Sequence, residues 1–145
     1  MVTVAKYDSY NRNAGASAAG VIQINHSNET SGAFRAVLVN ASYTFSNNHS
    51  AYSQITNEIS AANYTSGGLV LTSVTYTIAA SGTATFDAAD TVVTASGTDL
   101  SAAGAVIRYE GGPLMFFIDF EATEVAGNGT PFTIQWSADG ITQIK

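Results

Sequence analysis

Two histidines, His26 and His49, are the only imidazoles in this chain of 145 residues, and it has no cysteine. A Ser–His–Asp hydrolase needs a histidine held between a nucleophile and a carboxylate. Both histidines instead lie in Asn/Ser-rich stretches that read as solvent-facing loops, and no G-x-S-x-G elbow accompanies them. Zinc asks for a full set of nitrogen, sulfur or oxygen ligands, more than two isolated imidazoles supply. Asp87, Asp90 and Asp99 offer hard oxygens of the kind that bind calcium or magnesium. They lack the alternate spacing and central glycine of an EF-hand, and polar turns in which aspartates accept from nearby backbone amides account for them. Asp119 and Glu121 fall on one face of a strand, where a glycosidase pair could be imagined, but exposed strand carboxylates are ordinary surface chemistry. The expectation is a non-enzyme with no catalytic residue, no cofactor and no metal.

Asn-x-Ser/Thr triplets begin at Asn25, Asn28, Asn40, Asn48, Asn63 and Asn128. They matter only in a secretory pathway, and the start of the chain has no basic segment followed by an apolar run. With Ser and Thr abundant, chance accounts for them. Gly127-Asn128-Gly129 has neither the third glycine nor the following helix of a dinucleotide fingerprint.

The elements that would position any site are β. Hydrophobic residues make up 46% of the chain and charged residues 11%, too apolar and too weakly charged for disorder along most of its length. The net charge is −6, and the five basic residues, Lys6, Arg12, Arg35, Arg108 and Lys145, form no stripe able to neutralise a phosphate backbone. Nucleic acid is therefore not an expected partner. No apolar stretch is long enough to span a bilayer as a helix. Polarity carried by Ser, Thr, Asn and Gln gives little mutual repulsion between molecules and suits a protein packed against others.

Period-2 alternation is clearest at Leu114, Phe116, Ile118 and Phe120, set against Met115, Phe117, Asp119 and Glu121, and predicts one core-facing side. Phe132, Ile134 and Trp136 repeat it, as do Ala105, Ile107 and Tyr109. Phe34–Val39 is apolar on both faces, as in a strand covered on both sides. Between residues 69 and 78 the apolar parity passes from Leu69 and Leu71 to Val74, Tyr76 and Ile78, which a bulge near Thr72-Ser73 would explain. Weaker strands are Gly20–Asn25, Gly82–Phe86 and Thr91–Thr94. Gly67-Gly68, Gly111-Gly112-Pro113 and Gly127-Asn128-Gly129 supply turns, and His49–Ser60 holds the one helical turn expected. Residues 1–18, polar and Gly/Ala/Ser-rich, read as an extended arm that orders on a neighbour. Residues 19–145 read as a single all-β domain, an antiparallel β-sandwich or jelly-roll-like barrel. Tyr43, Phe45, Tyr52 and Tyr64 sit outside the best strands, either capping the core or forming a contact patch for a protein or sugar.

The order of segments resembles a group of small structural proteins of tailed bacteriophages. It is carried by Phe34-Arg35-Ala36-Val37-Leu38-Val39, Ser42-Tyr43-Thr44-Phe45, Ile55-Thr56-Asn57-Glu58-Ile59 and Tyr64-Thr65-Ser66-Gly67-Gly68. It continues through Phe86-Asp87-Ala88-Ala89-Asp90, Ala105-Val106-Ile107-Arg108-Tyr109, Pro113-Leu114 with Ile118-Asp119-Phe120, and Phe132-Thr133-Ile134-Gln135-Trp136-Ser137-Ala138-Asp139-Gly140-Ile141. The likeness runs from about residue 33 onward. The group usually opens with a helix-like segment and an acidic turn, whereas Asn11 to Gly20 here is Gly/Ala-rich.

The resemblance implies a virion component assembled in the host cytoplasm. Its first form is a capsid decoration, or cement, protein that binds the major capsid protein as a homo-oligomer. The alternatives are a head-completion, neck or tail ring or tube protein, and a carbohydrate-binding module on the particle surface. Contact residues expected on this reading are Val2, Val4, Tyr7 and Tyr10 in the arm and Tyr43, Phe45, His49 and Tyr52 in the aromatic loops. Exposed aromatics on long loops would favour decoration, and a hairpin with a free edge would favour a ring.

Overall fold

The computed structural model describes residues 3–7 and 33–144. Among them the chain is all-β, with antiparallel pairing throughout. The strands are β1 (Thr3–Lys6), β2 (Phe34–Val39), β3 (Leu69–Val70), β4 (Thr75–Ile78), β5 (Ala84–Asp87), β6 (Thr91–Thr94), β7 (Leu100–Tyr109), β8 (Leu114–Ala126), β9 (Pro131–Ile134) and β10 (Thr142–Ile144). They form a five-stranded sheet in the order β1-β8-β7-β2-β3, a three-stranded sheet β10-β5-β4 and the pair β6-β9. None of these sheets closes on itself. The layer facing the large sheet is therefore divided between two small sheets, and no closed barrel forms.

The large sheet is apolar on both faces because β2 and the inner half of β7 are. Toward the small sheets, Phe34, Ala36, Leu38, Ala105, Ile107, Phe116 and Ile118 pack with Phe86 of β5, Val93 of β6 and Phe132 and Ile134 of β9. Phe86 lies 5.3 Å from Phe34 and 5.9 Å from Phe116, ring centre to ring centre, and so joins the layers. Burying one such ring contributes about 1.5–3 kcal/mol. On the opposite face Val37, Val39, Val106, Leu114 and Tyr7 form a second cluster, covered by Tyr43, Phe45, Tyr52 and Ile55 of the long connection between β2 and β3. Within that connection Tyr52–Gln54 makes a single 3-10 turn, placed inside the stretch where a helical turn is expected.

Three details differ from the sequence reading. The change of apolar parity in 69–78 is a passage between sheets: β3 belongs to the large sheet and β4 to the three-stranded one, with Ser73 at φ 50° between them. Leu71 and Val74 stay buried across the gap, so no bulge is needed to bury both parities. Leu114 does not share a face with Phe116. An irregularity in the β7–β8 register next to Arg108 sends Leu114 to the second cluster and Met115 to the main core.

The third difference is at the N-terminus. Thr3–Lys6 of the expected arm is an edge strand of the chain's own sheet, pairing Thr3 with Asp119 through Lys6 with Phe116. Alternation explains it, since Val4 and Tyr7 turn to opposite sides and Tyr7 reaches the second cluster with no exposed surface. The rest of residues 1–18, Val2 and Tyr10 included, lies outside the described residues, as do His26 and the expected strand Gly20–Asn25.

A larger register shift divides the β7–β8 hairpin, with Gly104 opposite Asp119 but Ala102 opposite Glu124. Three extra residues of β8 are taken up between these pairs, and Glu121 takes φ 64° there. Gly104 is confined, because a Cβ at this position would stand 2.8 Å from the Ile118 carbonyl oxygen and 2.8 Å from the Phe117 ring.

Candidate functional site

The densest polar arrangement among the described residues centres on the Glu58 carboxylate. Asn57–Ile59 runs beside the end of β2, with a bridge between Val39 and Glu58 and a 3.0 Å bond from Ile59 N–H to the Leu38 carbonyl. Asn57 enters at φ 62°, a left-handed conformation that Asn tolerates better than most residues. One Glu58 oxygen accepts from the Tyr52 hydroxyl and from Ser66 Oγ at 3.2 Å. The other accepts from the Tyr64 hydroxyl at 2.7 Å and the Gly67 N–H at 2.8 Å. Tyr64 Oη in turn accepts the Leu38 N–H at 3.0 Å. A carboxylate with four donors is a charge-assisted anchor, and its lone pairs are committed to holding the loop.

Below it stand two cations. Arg35 on β2 and Arg108 on β7 are directly paired across the strands, a repulsive placement unless an anion intervenes. Glu110 supplies one, its Oε2 lying 2.7 Å from Arg35 Nε and 2.7 Å from Arg108 Nη2. The Arg108 contact is a hydrogen bond, while Arg35 Nε meets the carboxylate as a charge contact without donor alignment. Arg108 Nε also donates to the Gly67 carbonyl at 2.9 Å, and its guanidinium lies 4.5 Å from the centre of the Tyr52 ring, a cation–π contact. The turn packs tightly on the sheet: Gly68 has φ 103°, and a Cβ there would stand 2.8 Å from the Ala36 carbonyl group.

Burial is the main cause of the raised tyrosine pKa values in this region. It lifts Tyr64, with the Glu58 bond adding to the effect, and it lifts Tyr52 in the same way. Burial also lifts Tyr7 and Tyr43, whose hydroxyls are 2.6 Å apart. All four side chains are therefore held neutral well into alkaline solution.

The expected contact residues divide. Tyr7, Tyr43, Phe45 and Tyr52 come together, but on the second face of the sheet: Phe45 stacks on Phe117 at 5.7 Å, Tyr43 meets the same ring at 5.2 Å, and Tyr7 meets Phe45 at 4.9 Å. Tyr43, Phe45 and Tyr52 cap a core, one of the two roles open to them from sequence, and Tyr7, expected as an arm contact, is part of that core. His49 is half-buried in the same connection. Val4, 39% exposed, faces elsewhere, into an open groove of about 770 Å³ between β8 and β9. Phe120, Val125, Phe132, Ile134 and Trp136 also line that groove, and Glu124 is its single ionisable residue. Sequence reasoning did not find it, because its lining comes from β1, β8, β9 and the segment after β9, which no local pattern joins.

The aspartates serve the backbone. Asp87 accepts from Ala88 N–H, Asp90 from Trp136 N–H at 3.0 Å, Asp99 from Asn128 N–H at 2.9 Å, and Asp119 from Glu121 N–H. No group of three or more His, Cys, Asp or Glu able to hold a metal ion occurs among the described residues. No helix among them is long and apolar enough to cross a membrane. No protein family, curated protein or solved structure matches the chain.

Proposed function

We propose that the chain is a non-enzymatic structural component of a tailed-bacteriophage particle, acting as a capsid decoration protein that binds the major capsid protein and packs beside copies of itself. The observation that carries the assembly part of this reading is the groove between β8 and β9. Its lining is mixed, with Gln135 and Ser137 beside Val4 and Val125, two of the five large hydrophobic side chains exposed among the described residues, and Glu124 as its single ionisable group. A concave surface that mixes apolar and uncharged polar groups suits a contact with another protein, and convergent ionisable groups of a catalytic pocket are not part of it. The phage assignment rests on the ordered segments from Phe34 to Ile141. Glu58, Tyr64 and Gly67, which belong to that resemblance, meet in the loop anchor.

A second reading, a head-completion, neck or tail ring, is favoured by one observation. β1 covers β8 only as far as Asp119, so the edge beyond it has no strand partner on that side among the described residues, and a free edge suits head-to-tail closure. A sugar site on Tyr43 and Tyr52 has less to support it, since both rings are engaged within the domain. Copy number relative to the major capsid protein in purified particles tests the choice. A number comparable with the capsid protein's supports decoration, a small fixed ring number replaces it with the second reading, and absence from particles removes both.

A further inference from the structure

Asn128 is the one asparagine of the chain followed by glycine, and it lies exposed in the connection between β8 and β9. An Asn-Gly step marks a turn, and it also carries latent chemistry. The backbone nitrogen of the glycine can give up its proton and bond to the asparagine Cγ. The bond from Cγ to the side-chain nitrogen then breaks, ammonia leaves with the proton, and a five-membered imide remains. Water opens the imide to aspartate or isoaspartate. Glycine favours the attack because it has no side chain to crowd the ring and its backbone turns freely.

The fold holds that nitrogen back. Gly129 N–H donates to the Ala95 carbonyl at 2.9 Å, and Asn128 N–H donates to Asp99 Oδ1 at 2.9 Å. Thr130 closes the turn, its N–H donating to the Gly127 carbonyl at 2.9 Å and its hydroxyl to the same oxygen at 2.6 Å. The attack needs Gly129 nitrogen without its proton and turned toward Cγ. In the closed turn that proton is held by a carbonyl oxygen, and the Asp99 carboxylate beside Asn128 opposes a second negative charge.

From this we infer that Asn128-Gly129 is a spontaneous modification site gated by its own turn, converting to aspartate and isoaspartate when the β8–β9 connection opens. The isoaspartate product does not fit the closed turn. It carries the chain through its side-chain carbon, one backbone atom longer, and adds a carboxylate near Asp99. Ala95 N–H donates to the Thr130 carbonyl at 2.9 Å, so this turn continues the β6–β9 ladder. A turn of the wrong length loosens that ladder and with it β9, one wall of the groove. The inference goes beyond the assembly reading and does not depend on it.

The full chain is incubated in mildly alkaline buffer, folded and in concentrated urea, and sampled over time. Peptide mass spectrometry locates the amide-to-acid mass gain, and labelling by an isoaspartate methyltransferase counts isoaspartate. In urea Asn128 converts faster than any other asparagine. In the folded chain it converts more slowly by about tenfold or more, the reaction waiting on local opening. Asp99→Ala, which removes the acceptor of Asn128 N–H and the neighbouring charge, raises the folded rate several-fold and leaves the rate in urea unchanged. Thr130→Val, which removes only the hydroxyl bond to Gly127, raises it less and serves if the first variant fails to fold. Equal rates in the folded chain and in urea, or a folded rate unmoved by substitution, overturn the gate; another asparagine leading in urea overturns the site.

Discussion

The two faces of the five-stranded sheet are covered by different means. Toward the small sheets the cover is other strands, and the contact is almost wholly apolar, with Phe34, Phe86 and Phe116 joining the layers. On the other face the cover is a long connection without strands of its own, seated by aromatic rings and fixed by the hydrogen bonds of Glu58 and Arg108. Apolar packing is non-directional and grows with area, so the first face draws its strength from bulk. The second depends on a few directional bonds to hold irregular backbone in register, and its weak points are single atoms.

Removing bulk from the first face is expected to cost most. Phe116→Ala should lower the unfolding free energy by about 3–5 kcal/mol, read as a fall in urea midpoint at unchanged slope. On the second face, Glu58→Ala strands the Gly67 N–H and the Tyr64 hydroxyl and should cost about 1–3 kcal/mol, with Glu58→Gln costing less because an amide oxygen still accepts. Hydrogen exchange should show the difference in kind, with protection lost first at Gly67 and Gly68 while Ile107 and Phe116 stay closed. Equal exchange on both faces in Glu58→Ala would break the contrast.

The alkaline limb sharpens it. Burial raises the Tyr7 and Tyr64 pKa values in the folded chain, and the unfolded chain releases those protons first. Their contribution is therefore intact below the ordinary tyrosine value of about 10 and is lost as pH rises above it, at up to about 1.4 kcal/mol per pH unit for each group. Tyr64→Phe and Tyr7→Phe should each flatten that limb, read as the urea midpoint across alkaline pH. The smallest effect on stability is expected where neither cover reaches. Val125→Asn should stay within about 0.5 kcal/mol of the parent, and sedimentation at rising concentration should show weaker self-association.

The all-β class and the strands at Phe34–Val39, Thr91–Thr94 and Phe132–Ile134 were legible because alternation with β-branched and aromatic residues is a local signal. The double-sided character of Phe34–Val39 even foretold a sheet covered on both faces. What local pattern could not convey was pairing. A parity change reads alike whether a strand bulges or crosses to another sheet, so local pattern alone gives a bulge at Thr72-Ser73 where the chain passes between sheets. Met115 looked outward and Leu114 inward until the β7–β8 register exchanged them. Tyr7 reads as part of a polar arm because its socket is assembled from residues distant in sequence, Val37 the nearest of them.

The anchor was missed. Glu58 stands among neutral residues and Arg108 on the minority parity of an apolar strand, placements that ask for a partner and were the available signal. Nothing in the spacing joined them, since they meet only through Tyr52 and Gly67. The groove left no trace at all in sequence, because an unfilled space between strands has no residue of its own.

Gly104 has a geometric consequence. It sits where the β7–β8 ladder breaks step, with the Phe117 ring and the Ile118 carbonyl pressed onto the place a side chain would take. The break in step is thus possible only where a side chain is missing: Gly104→Ala would have to part β7 from β8 at this point, so one hydrogen atom in place of a methyl group lets the hairpin keep two registers along its length.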